Sequence, residues 1–159
     1  MQLLTFTVAG QAYAVESRRV IEVLPLVPAR PLPRAPGYVR GIFTYRGRLV
    51  PLVDLARRLA DVGAAERLST RVIVVEFTPA AGGQPRRIGL VAENVVSIRS
   101  AEEADAALPA LDLPDAPYLG RMLRIGGETV ILLAVEHVLP EPIAAGLFPP
   151  DAAAETPIP

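Results

Sequence analysis

Cysteine and lysine are both missing from this chain, histidine occurs once, and aromatic residues make up only 5% of it. Without cysteine, neither disulfides nor thiolate metal sites can form. The single histidine, His137, lies in the run VEHVL among apolar neighbours, with no second ligand type clustered nearby. It reads as a structural side chain, and no metal or other cofactor is expected. Four serines, Ser17, Ser69, Ser97 and Ser100, all lie outside any Gly-flanked nucleophile turn. Gly82-Gly83 has no following helix and no lysine, which excludes a phosphate-binding loop. No catalytic constellation can be assembled, so the chain is expected to be a non-enzyme. No apolar stretch approaches the ~20 residues of a membrane helix, and the N-terminus lacks a basic segment followed by an apolar one. The expectation is a soluble cytoplasmic protein without direct membrane insertion.

What is present is apolar and ordered. Of 159 residues, 51% are hydrophobic and 21% charged, enough for one good core or two small ones sharing an interface. Net charge is −1, but it is distributed unevenly. Arg18 to Arg71 holds eleven arginines against Glu22, Asp54, Asp61 and Glu66, while the remainder holds five arginines against thirteen acids. Opposite poles on a small protein suit docking between protein partners. Nucleic acid is the rival partner for the basic half, through Arg40, Arg46, Arg48, Arg57 and Arg58. The scarcity of aromatic stacking platforms counts against it.

The run from Arg34 to Leu59 is the most informative. It predicts a strand over Ile42–Tyr45, a tight turn at Arg46-Gly47 and a second strand over Arg48–Val53. Gly47 suits the positive φ of a two-residue hairpin, and Asp54 can cap a short helix behind it. Leu49, Val50, Leu52 and Val53 are apolar on both faces, predicting burial on both sides. Upstream, Leu4, Phe6 and Val8 alternate with Thr5 and Thr7, Ala12–Val15 forms a second strand, and a third runs from Val20 until Pro25 stops it. The prolines from Pro25 to Pro36 form a stiff connector. Thr78–Arg87 reads as an exposed hairpin loop, and Ala104–Leu108 as a short helix within an acidic stretch. A Pro/Ala-rich tail, 141–159, follows, and mobility is expected in its last ten or so residues.

The same pattern returns about eighty residues later. Ala35-Pro36, Tyr38, Gly41, Gly47 and Leu59 are echoed by Ala116-Pro117, Tyr118, Gly120, Gly127 and Leu139. Without gaps, Leu3–Val8 matches Val72–Phe77, Tyr13–Val23 matches Ile88–Ile98, and Leu49–Val53 matches Thr129–Leu133. The reading is an internal duplication, with copies over about 3–59 and 72–139 in one domain spanning 1–140.

These residues carry a resemblance to a known family. YAVESRRVIEVL, LPRAPGYVRGIFTYRGRLVPLVDL, RVIVVEF, IGLVAENVVSI and YLGRMLRIGGETVILL follow one another as in the CheW-like domain. The resemblance implies an all-β fold of two packed SH3-like, five-stranded β-barrels with a few short helices. It implies an adaptor that joins chemoreceptor cytoplasmic tips to a CheA-like histidine kinase whose regulatory domain shares the fold. A regulatory fragment of such a kinase is the other reading; no phosphotransfer or nucleotide-binding motif supports it. Residues implied in protein binding are Val20, Glu22, Val23, Ile42, Arg46, Gly47 and Arg48. Val20 and Val23 match apolar positions at a groove for a helical receptor tip, and Glu22 and Arg46 match a pair placed to bond each other. Breaking that pair costs on the order of 3 kcal/mol if it is deeply buried. Thr44-Tyr45 stand where the family commonly has Asn-Leu, a departure that shifts the expected receptor towards a surface-sensing or second-messenger system.

Overall fold

A computed structural model describes residues 1–79, 82–100, 104–107 and 113–148. In chain order the elements are β1 (Gln2–Val8), β2 (Gln11–Glu16), β3 (Val20–Pro25), β4 (Val39–Tyr45), β5 (Arg48–Asp54) and α1 (Leu55–Ala60). They continue as β6 (Arg71–Phe77), β7 (Arg86–Ser100), β8 (Ala104–Ala107), β9 (Leu119–Ile125), β10 (Glu128–Leu133) and α2 (Glu141–Leu147). A 3-10 turn, Ser17–Arg19, separates β2 from β3, and another, Val135–His137, follows β10.

The strands form two SH3-like barrels, and neither barrel is made from one half of the chain. The first joins β4-β5-β7-β6-β3 and the second β8-β9-β10-β2-β1-β7, with β7 running through both. β7 changes barrels between Ala92, paired with β6, and Glu93, paired with Thr7 of β1, and a bulge separates Glu93 from Ser97, where the β1 ladder resumes. In that interval Asn94 takes φ +52°, and its amide donates to Thr7 Oγ1 at 2.8 Å. Short polar side chains such as Asn tolerate this left-handed backbone best.

The exchange has a two-fold character. Val23 pairs with Ile73 across β3 and β6, and Ile98 with Leu4 across β7 and β1. Leu52 pairs with Gly89 in the parallel contact of β5 with β7, and Leu132 with Ala14 in that of β10 with β2. Each pairing turns into the other under the segment-by-segment match of the two sequence halves.

Alternation along the strands splits the apolar side chains into three layers. Phe43, Tyr45, Val50, Leu52, Val72, Val74 and Val91 fill the first barrel. Leu3, Ala14, Leu123, Ile125 and Val130 fill the second. Between the barrels lies the largest cluster, to which β6 contributes Ile73, Val75 and Phe77 and β1 contributes Leu4, Phe6 and Val8. Full burial of such side chains contributes about 1.5–3 kcal/mol each. The shared layer therefore welds the barrels into one unit.

Three expectations need adjusting. Leu49 is 51% exposed, because the two-sided burial of β5 begins only at Val50. Ala104–Ala107 is a strand, since pairing with the open edge of β9 outweighs alanine's helix preference over so short a run. It makes a sixth strand in the second barrel. The first part of the Pro/Ala-rich tail is the helix α2, whose Ala144 is buried in the shared core. The last ten or so residues lie outside the described residues.

Candidate functional site

The β4–β5 turn is built by two consecutive left-handed residues, Arg46 (φ +50°) and Gly47 (φ +77°), the conformation of a two-residue I′ hairpin. It holds Arg46 at the mouth of the first barrel. There Arg46 Nη2 donates to Glu22 Oε1 at 3.0 Å, joining β4–β5 to β3. Tyr45 donates its hydroxyl to the same Glu22 oxygen at 2.5 Å. Its ring is buried in the first-barrel core while the Arg46 guanidinium lies 5.1 Å from the ring centroid. The Glu22 hydrogen bond, helped by burial, pushes the Tyr45 pKa above its ordinary 10, since that bond favours the protonated phenol.

Burial decides how much the Glu22–Arg46 pair contributes to stability. Its side chains are 40% and 61% exposed, so the deep-burial expectation does not apply. An exposed pair contributes about 0–1 kcal/mol. Val20 and Val23, on the same strand as Glu22, are half-buried against the layer between the barrels. Ile42 is half-buried on β4, where its backbone exchanges two hydrogen bonds with Arg30 in the proline connector. Gly47 and Arg48 are exposed at the turn, and Arg48 has no ion pair among the described residues. Glu22, Tyr45 and Arg46 thus form a bonded cluster, with Gly47 and Arg48 at its rim. The bonds of Ile42 run to the connector instead.

Two other arginines of the basic half, Arg40 and Arg58, are engaged within the fold. Arg40 donates to Asp54 Oδ2 from Nε (3.1 Å) and Nη2 (3.0 Å), and to Glu66 from Nη1 (3.3 Å). Asp54 is nearly fully buried and also caps α1 by accepting the Arg57 N–H at 3.2 Å. Arg58 donates to the Val138 carbonyl and lies against the rings of Tyr38 and Tyr118. Three of the five arginines invoked for nucleic acid, Arg40, Arg46 and Arg58, therefore already have intramolecular partners. His137 lines a cavity of about 520 Å³ with Arg58, Asp115 and Glu141. Among the described residues no group of three or more His, Cys, Asp or Glu side chains could hold a metal.

Residues 2–142 match the model of the CheW-like domain. The chain belongs to that family. It is 31% identical over 142 residues to chemotaxis protein CheW of Rhizobium meliloti (strain 1021), covering 87% of each chain. It is 32% identical over 130 residues to protein FrzA of Myxococcus xanthus, covering 80% of this chain and 78% of the other. The fold matches the crystal structure of the scaffolding protein TtCheW from Thermoanaerobacter tengcongensis with TM-score 0.71, 19% identity and 87% coverage of both chains. This CheW-family chain is a non-enzymatic chemotaxis coupling adaptor. Among its described residues no helix is long and apolar enough to cross a membrane.

Sequence reasoning overlooked two parts of the site's surroundings. It noted Tyr45 for its size but not for its bond to Glu22. It missed Arg87, whose guanidinium lies 5.8 Å from the Tyr45 ring centroid. Only the parallel pairing of β5 with β7 brings Arg87 to the hairpin, and no local signal announces that pairing.

Proposed function

We propose that this protein couples the cytoplasmic tip of a chemoreceptor to a CheA-like histidine kinase, and that its receptor-binding surface centres on Val20, Glu22, Val23, Ile42, Arg46, Gly47 and Arg48. The supporting observation is the bonded cluster of Glu22, Tyr45 and Arg46 beside the half-buried Val20 and Val23. It combines a fixed cation–carboxylate pair with partly open apolar side chains, the elements a helix-in-groove contact uses. Because the hairpin already orders Arg46, little further entropy is lost when a partner engages it. The kinase's regulatory domain, of the same fold by family resemblance, would meet a different surface. The protein would work in the cytoplasm, recruited to membrane-associated receptor arrays.

The test is capture of a receptor signalling fragment and the kinase regulatory domain by purified protein, separately and together. The expected result is a ternary complex from wild type and weakened receptor capture by folded Arg46→Ala. Receptor and kinase capture by Arg46→Ala equal to wild type would remove the hairpin from the reading. No capture of either partner by wild type would remove the coupling role itself.

A further inference from the structure

The mouth of the first barrel carries more positive charge than the Glu22–Arg46 pair accounts for. Arg87, at the start of β7, is half-exposed and lies against the same Tyr45 ring as Arg46. Its cross-strand neighbour on β6 is the exposed Glu76, yet no ion pair joins them. Arg48 is exposed at the adjoining turn. Around this rim, among the described residues, the one carboxylate within bonding distance of an arginine is Glu22, and it bonds Arg46.

We propose that Arg87, with the Tyr45 ring as its floor, is a second recognition residue that binds a carboxylate side chain on the helical receptor tip. This rests on the coupling reading above and names the chemistry of the contact. The ring lies against the guanidinium while its N–H groups pair with no carboxylate among the described residues, a planar fork suited to a carboxylate. Glu22 does not pair with it: its engaged oxygen, Oε1, accepts from Tyr45 and Arg46, and Arg87 is not within ion-pair distance of it. Tyr45 therefore serves twice. Its hydroxyl holds Glu22 against Arg46, and its face holds Arg87 beside them. A leucine at this position could do neither.

The experiment measures the affinity of full-length protein for a receptor signalling-tip fragment encoded in the same genome. A second fragment has the tip's Glu and Asp residues replaced by Gln and Asn. Variants are Arg87→Gln and Arg87→Glu, with Arg121→Gln, on an exposed position of β9, as control. Melting curves confirm folding. The expected result is a Kd raised roughly fivefold to tenfold by Arg87→Gln, further by Arg87→Glu, and unchanged by Arg121→Gln. The amide fragment should bind more weakly and be indifferent to Arg87→Gln. The salt dependence of binding should also be shallower in Arg87→Gln. If both Arg87 variants bind like wild type, the inference is overturned while the coupling reading stands. An amide fragment that binds as tightly as the acidic one overturns the carboxylate as ligand. If wild type does not bind the receptor fragment, the receptor contact fails and this inference falls with it.

Discussion

Arg58 donates its Nε–H to the carbonyl of Val138 at 2.8 Å, joining residues that hold matching places in the two halves of the chain, each just before the leucine that follows its hairpin (Leu59 and Leu139). The same guanidinium lies 5.0 Å from the ring centroid of Tyr38 and 4.6 Å from that of Tyr118, another matching pair. One arginine thus touches both halves where they meet. Arg58→Met, which keeps much of the apolar stem, should cost about 2–3 kcal/mol through the lost charged hydrogen bond and ring contacts. Arg58→Lys should fall between Met and wild type. Urea denaturation of the three proteins checks the order.

Arg40 and Arg46 each pair with a carboxylate, and burial separates them. Asp54 is 6% exposed in its pair with Arg40, whereas Glu22 is 40% exposed in its pair with Arg46. Arg40→Ala should therefore destabilise by about 3 kcal/mol, leaving a buried carboxylate short of its cation. Arg46→Ala should change stability by less than about 1 kcal/mol. Adding Glu22→Ala to Arg46→Ala should cost little more than either single change. Paired chemical melts decide the matter.

Gly41 and Gly47 both have positive φ, +137° and +77°, but their surroundings differ. A Cβ on Gly41 would lie 2.0 Å from the Arg30 carbonyl oxygen, and one on Gly47 would meet open space. Gly47→Ala should cost about 1–2 kcal/mol of backbone strain and leave a folded protein. Gly41→Ala should break the bridge between β4 and the proline connector and yield mostly unfolded or aggregated protein. Circular dichroism and size-exclusion profiles separate the outcomes.

Three tyrosines should titrate above the ordinary 10. For Tyr45 the Glu22 hydrogen bond leads and burial adds; for Tyr13 burial leads and Tyr118 adds; for Tyr38 burial leads, partly offset by Arg58. A pKa raised on folding contributes stability that is present below the unfolded value and lost as pH rises through the folded one. The urea midpoint should therefore fall above about pH 10. Tyr13→Phe should make that fall shallower. Ultraviolet titration in native and denatured protein checks the direction group by group.

Much of this architecture was legible because it depends on local signals. The turn at Arg46-Gly47, the cap at Asp54 and the end of β3 at Pro25 follow from residues acting on their own neighbourhoods. The segment matches between the two halves told which residues are equivalent, such as Leu4 with Ile73 and Val23 with Ile98. They did not disclose which strands pair or that the ladders join one half to the other, because a repeat does not specify which copy supplies a strand's partner. Arg87 was missed for the same reason. Leu49 was misread because a hairpin tip stands clear of the core whatever its hydrophobicity.

The traded strands also set an order in which the chain can finish folding as it is made. The first barrel's ladders are complete once the β5- and β6-paired part of β7, through Ala92, is available. β1 and β2 can pair with each other early, but the outer edge of β2 waits for β10, near the end of the chain. During synthesis an apolar hairpin from the N-terminus therefore stays open on one side while nearly everything else emerges. Such long-range closure is slow and leaves exposed edges that favour aggregation. A nascent chain released from the ribosome only through β9 would hold a finished first barrel and an unfinished second one.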